Sequence, residues 1–282
     1  MCGQPGAVGL VARLSDPVLD FLLFTTDVSL AQRAISAGAA GIVIDWERSG
    51  KEERQVGFDT LVSQDGPEDL ERMCRSVNAP VICRLDSLGP WSAEQVELAV
   101  ESGADEILLP MIRSAADVEQ ALDLADDRCG VGFMLETIDA LACADELAGL
   151  PVSRVYVGLN DLAIERGSQS LFTALADGTV ESVRESFSSI PFGFAGPGVP
   201  DSEATVSFPV PPALLLGELA RLRADFTTLR RSFWRYVEGR DVASALATMA
   251  SAAQSAASRD EETVARDHTA LVAAVEAWVP AG

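Results

Sequence analysis

Eight strand-length apolar runs, starting near residues 21, 41, 79, 105, 130, 153, 191 and 225, recur along this chain, each followed by a helical pattern. Most of these starts lie 20 to 38 residues apart. Parallel strands need a crossover of a dozen or more residues between them, usually a helix. The alternation therefore specifies βα units, and eight of them favour a closed barrel over an open doubly wound sheet. The expected fold is α/β: a single (β/α)8 TIM barrel with additional C-terminal helices. A chain of 282 residues suits that reading, since such barrels typically take about 250.

The expected strands are 21–26 (FLLFTT), 41–46 (GIVIDW), 80–84 (PVICR), 106–111, 131–135, 155–159, 192–195 and 226–229. Helical patterns occupy 29–37, 67–78, 114–126, 138–150 and 213–223. Another helix ends at Gly103, and Ser92 with Gln95 predicts a capping box at its start. The polar stretch 48–66 is too long for an ordinary βα connection and marks a candidate functional loop. Two short helices are expected within 162–190, around Asp177-Gly178, and the loop 196–212 carries five prolines. The barrel and its lead-in segment account for 1–240, and 241–282 form a helical extension with Ala, Val and Leu stripes. Those stripes need a partner surface, either the barrel or a neighbouring subunit. The subunit is favoured, so a homo-oligomer is expected.

With 21 basic and 43 acidic residues, the formal net charge is −22, which argues against nucleic acid and anionic membrane as partners. No charged-then-apolar signal opens the chain, and nothing reaches the run of about 18 apolar residues that spans a membrane. Five scattered cysteines, without metal-ligand spacing, read as buried thiols of a reducing compartment. A cytoplasmic protein is expected. Two scarcities constrain the chemistry further: Lys51 is the single lysine and His268 the single histidine. His268 falls in the C-terminal extension, as a surface or interface residue, and Lys51 in the polar loop. Nucleophilic triads are thereby set aside, and a Schiff-base lysine has little support.

The chemistry concentrates between Gly130 and Gly167. Two apolar runs there each end in a carboxylate, Glu136 and Asp161, with a helical pattern between them. That is a βαβ unit with one acid at the C-terminal end of each parallel strand, the edge where ligands bind in α/β folds. Oxygen ligands from adjacent strand ends suit a hard divalent cation such as Mg²⁺ or Mn²⁺, completed by water and substrate oxygens. Arg84 ends the third strand in the same rim. Its guanidinium can stabilise a developing oxyanion, or pair with a rim acid such as Asp45, Glu47 or Asp86. Contact with substrate is the expectation. The turn Gly158-Leu159-Asn160 offers backbone N–H groups to a carboxylate.

In this order, GIVIDWE, PVICR, GADEILLPMIRSAADVEQAL, GFMLET and VYVGLNDL resemble the HpcH/HpaI aldolase and citrate lyase β-chain family, over about residues 21–236. The likeness is greatest to a less-characterised branch, through DWERSGKEERQ, MLET and GLNDL. What the resemblance implies is a metal-dependent (class II) aldolase or lyase acting on a 2-oxo acid. Glu136 and Asp161 would hold the metal, Arg84 the C2 oxygen of pyruvate and its enolate, and the amides from Leu159 to Asp161 the carboxylate. Family aldolases place a histidine, as general base, directly after the acid of the second strand, whereas here Arg48 follows Glu47. They also often have glutamine where this chain has Met134. Proton transfer then falls to water on the metal, to Asp45 or Glu47, or to the substrate itself. The working expectation is that Glu47 orients that water while loop 48–66 closes over the substrate. The alternatives are an acyl-CoA lyase or pathway-specific condensing enzyme on the same site, or a non-catalytic barrel that binds a small acid or a partner protein.

Overall fold

A computed structural model of the protein describes residues 19–48, 64–200, 210–229 and 231–277. Most of the expected functional loop 48–66, with Lys51, lies outside them. Eight parallel strands form a closed barrel in sequence order: β1 (Asp20–Phe24), β2 (Gly41–Asp45), β3 (Val81–Arg84), β4 (Glu106–Leu109), β5 (Gly130–Leu135), β6 (Arg154–Val157), β7 (Phe192–Phe194) and β8 (Phe226–Leu229). β8 pairs back onto β1, with Leu22 opposite Thr228, and closes the ring. The strands are almost uniformly apolar because both faces are covered, one by helices and one by the opposite barrel wall.

Alternation along each strand divides the core in two. Residues such as Leu23, Ile44, Cys83, Ile107, Phe133 and Val157 face outward, under the helices. Leu22, Val43, Ile82, Leu108, Met134, Tyr156 and Phe226 fill the interior. Deeper in the barrel, Arg154 on β6 pairs with Glu106 on β4 (Nε to Oε1, 2.6 Å) and lies 4.9 Å over the Phe226 ring. The interior is thus packed, and the inward series rises to the strand ends, where Asp45, Arg84 and Glu136 continue it.

The helices around the barrel are α1 (Val28–Ser36), α2 (Pro67–Ser76), α3 (Ser92–Glu101), α4 (Ala115–Ala125), α5 (Ile138–Ala142), α6 (Ala144–Leu147), α7 (Leu159–Glu165), α8 (Thr173–Ala176), α9 (Thr179–Ser186) and α10 (Pro212–Arg221). Three more follow β8: α11 (Arg231–Val237), α12 (Val242–Ala257) and α13 (Glu261–Glu276). Three local expectations need correction. The single helix expected over 138–150 is broken at Cys143 into α5 and α6. Leu159, expected to end a strand, starts α7, because the chain turns at Gly158. Ser92 is the first helical residue, not the cap: its hydroxyl accepts from Gly89 N (2.9 Å), and Gln95 binds Asp86 instead of closing a capping box.

The C-terminal stripes find their partner within the chain. Val242, Ala245, Leu246, Met249, Ala253 and Ala256 form the buried face of α12, which packs on α1 and α10. Leu271 and Val275 are the buried residues of α13, which packs on α10 and α8. His268 adds a tether, its Nδ1 lying 3.1 Å from Oε2 of buried Glu218 on α10. Of the two surfaces expected for them, these apolar faces cover the chain's own outer helices. Among the described residues no helix is long and apolar enough to cross a membrane.

Candidate active site

β2, β3 and β5, with the turns that follow them, bring Asp45, Glu47, Arg84 and Glu136 to one rim. All four are buried, between 1% and 4% exposed. Asp45 and Arg84 stand opposite each other in the β2–β3 register. The guanidinium grips Asp45 with both fork positions, Nε to Oδ1 at 2.9 Å and Nη2 to Oδ2 at 2.7 Å, and Nη2 lies 3.1 Å from Glu47 Oε2. Beneath it the Phe24 ring centre is 5.1 Å away. Burial opposes the charged guanidinium, but Asp45 and Glu47 outweigh it and hold its pKa above the ordinary value. Of the two roles expected for Arg84, pairing with rim acids is present, since two of its nitrogens are engaged with Asp45 and Glu47. Nη1 is different: its partner is the soft Met134 sulfur, at 3.7 Å.

Asp45 is committed further. Its Oδ1 also accepts from Glu47 N (3.2 Å), and its own N–H donates to Asp65 Oδ2 (3.0 Å). Asp45 thus accepts from both a bidentate guanidinium and an amide, which ties it to holding Arg84. Glu47 keeps one of its oxygens close to Arg84 and lies near enough to Glu136 to affect its ionisation. Arg48 stands where the resembled family carries histidine. Its N–H donates to Asp86 Oδ1 at 2.6 Å and its Nη2 to the Asp65 carbonyl at 2.5 Å, anchoring the chain on both sides of the loop.

Glu136 is the most constrained acid. Its Oε1 accepts from Met111 N at 2.9 Å, whereas buried Oε2 has no hydrogen-bond partner among the described residues. Oε2 is packed on Gly158, where an added Cβ would lie 2.0 Å from it. Glycine is obligatory at that position for close approach. Gly158 N donates to the Leu135 carbonyl (3.2 Å), so the expectation that this amide holds a substrate carboxylate is corrected. Leu159 and Asn160 do begin α7, whose first amides lack intrahelical acceptors. Asp161 lies in the same first turn, half-buried, and close enough to act on Glu136.

Burial above all, then Asp161 and Glu47, push the Glu136 pKa well above its usual 4.5, with Met111 N and Arg84 working the other way. A carboxyl raised in the folded state favours folding fully below its unfolded pKa and loses that contribution as pH climbs through the folded value. Metal-free protein should therefore lose thermal stability as pH rises from about 4.5, with Glu136→Gln showing a shallower decline. Parallel melting curves across that range would reveal it, and identical slopes would show that Glu136 is not the group responsible.

Sequence reasoning missed three parts of the site. Asp65 was hidden inside a long polar stretch. Thr137 donates from Oγ1 to the Ile112 carbonyl (2.7 Å) and accepts from Ala140 N (3.1 Å), a helix-cap role that a threonine before an acidic helix start could have signalled. Met111 contributes a backbone group, for which a side-chain pattern gives no signal.

This architecture, a (β/α)8 barrel with its charged groups gathered at the C-terminal rim, defines the class of fold that supports enzymes by varying its βα loops. Among solved structures the chain is similar to the HpcH/HpaI aldolase from Desulfitobacterium hafniense DCB-2, with a TM-score of 0.56 over 86% of this chain and 94% of that one. At 12% identity, that likeness establishes the fold alone. Among curated proteins, one stretch of 80 residues is 38% identical to a (3S)-malyl-CoA thioesterase of Cereibacter sphaeroides and 36% identical to the corresponding proteins of two further strains. The match spans 28% of this chain and 28% of each relative. No family model matches. The likeness to HpcH/HpaI aldolases read from the motifs thus extends to the fold of the barrel, and the sequence is related over one stretch to a thioesterase.

Proposed function

We propose that the rim is a divalent-cation site serving carbon–carbon lyase or aldolase chemistry on a 2-oxo acid. One observation carries this reading: the Arg84 guanidinium faces three carboxylates, Asp45, Glu47 and Glu136, Asp161 lies close enough to act on Glu136, and buried Glu136 Oε2 has no hydrogen-bond partner among the described residues. A buried carboxylate oxygen without a hydrogen-bond partner, as Glu136 Oε2 is, is costly unless a cation or a proton joins it. No group of three or more His, Cys, Asp or Glu suited to a metal occurs among the described residues. The donors proposed are two oxygen ligands, Glu136 and Asp161, with the remaining positions left to water and substrate, as Mg²⁺ and Mn²⁺ accept. When bound, such an ion supplies Lewis-acid polarisation of the substrate carbonyl.

The chain's own groups have distinct tasks in this proposal. Arg84 offers Nη1 to the oxygen that gains charge, while Asp45 keeps the guanidinium plane fixed. Leu159 and Asn160 direct their amides to the substrate carboxylate. Glu47, buried at the rim beside both Arg84 and Glu136 and not assigned to the cation, moves the proton. A second reading, chemistry on an acyl-CoA thioester, is favoured by the stretch shared with (3S)-malyl-CoA thioesterase. Two assays separate the readings: Mn²⁺-dependent deuterium exchange at C3 of pyruvate, and thiol release from malyl-CoA. The first should proceed in the parent and stop in Glu136→Gln and Asp161→Asn, and both variants should lose Mn²⁺ by equilibrium dialysis. Thiol release without exchange would favour the thioester reading. Retention of Mn²⁺ by both variants would refute the ligand assignment.

A further inference from the structure

We propose that Met111 is a positioning residue for Glu136, acting through its backbone. Met111 has φ 54°, in the left-handed region that non-glycine side chains disfavour. It lies just beyond the end of β4, and its side chain is only half-buried, so core packing of that side chain gives no reason for the strain. Strained backbone persists where its surroundings over-determine it, and here two hydrogen bonds do so. Met111 N donates to Glu136 Oε1 at 2.9 Å, and Thr137 Oγ1 donates to the Ile112 carbonyl at 2.7 Å. Donors and acceptors thus cross in opposite directions between two consecutive residues after β4 and two consecutive residues after β5. Ile112, Glu136 and Thr137 are all buried.

The consequence is a two-sided clamp on one carboxylate. From the β4 side, Met111 N fixes Oε1. From the β6 side, the bare Cα of Gly158 receives Oε2. A carboxylate so held cannot turn, and Oε2 stays presented beside the first turn of α7, where Asp161 lies. The left-handed turn is what aims the Met111 amide. Metal-ligand orientation set by such hydrogen bonds is a general lever on affinity, and the inference rests on the cation reading proposed above.

Met111→Val and Met111→Gly distinguish this role from a side-chain one. Valine resists positive φ, whereas glycine adopts it freely. Met111→Val should weaken Mn²⁺ binding, read by titration calorimetry, by about tenfold or more, while Met111→Gly should stay within about twofold of the parent. A valine variant that binds as the parent does, or a glycine variant as weak as the valine one, would overturn the proposal. Amide exchange in metal-free protein supplies a readout that needs no cation. Glu136→Ala should speed exchange at Met111 N–H by about tenfold or more, and unchanged protection would overturn the clamp. A parent that binds no Mn²⁺ would sink the cation reading alone, because the exchange result still decides whether Met111 holds Glu136.

Discussion

Arg84→Met is expected to destabilise the protein by about 3–5 kcal/mol, the usual cost of removing one member of a buried ion pair. Asp45 and Glu47 are both buried and both face this guanidinium, so its loss takes a positive charge away from two buried carboxylates, not one. Methionine fills much of the volume and leaves the charge as the main change. Arg84→Lys should fall between methionine and the parent: it restores the charge but not the planar fork that reaches Oδ1 and Oδ2 of Asp45 together. Urea denaturation of the three proteins at neutral pH tests this. If Arg84→Met unfolds at the parental midpoint, the guanidinium is not neutralising the rim, and its role is confined to substrate. Asp45→Asn in the Arg84→Met background should recover part of the loss, since it removes one of the two acids that faced the guanidinium.

That expectation differs from what the residues suggested in sequence, and the reason is physical. Arg84 at the end of an apolar run identified the rim, and the rim is where it lies. Which partner it takes depends on register, because Asp45 comes opposite Arg84 only once β2 and β3 pair. The eight βα units were legible for the same reason that they fold: each strand is covered on both faces and reads as an uninterrupted apolar run. Boundaries were less legible where a turn depends on geometry and not on composition, as at Gly158, where the expected strand gives way to α7. Glu136 and Asp161 were recognisable as acids after strands. Their shared environment was not, since the rise in the Glu136 pKa comes from burial first and from Asp161 and Glu47 after it. The C-terminal stripes were recognisable as faces seeking cover. Nothing in their periodicity could say that α1 and α10 supply it.

If the rim holds the cation proposed above, Gly158→Ala is expected to weaken its binding sharply while leaving the barrel folded. The added Cβ would lie 2.0 Å from Glu136 Oε2 and 2.9 Å from Glu136 Cβ, so the acid, the turn, or both must move. Overpacking of this kind typically costs about 1–3 kcal/mol, affordable for a barrel of this size, and melting curves should still be cooperative. The larger effect falls on orientation. Glu136 cannot retreat toward β4 without breaking its bond from Met111 N, because that amide already sits at 2.9 Å. Mn²⁺ affinity should therefore drop by about tenfold to a hundredfold. Glu136→Asp tests the cause, since an acid one methylene shorter relieves the clash but reaches less far. Alone it should weaken Mn²⁺ binding. Combined with Gly158→Ala it should do much less harm than the two separate losses predict, the non-additivity expected of residues in direct contact. Strictly additive losses would mean that Gly158 and Glu136 act independently, and the glycine would then owe its place to the turn into α7 and not to the carboxylate it faces.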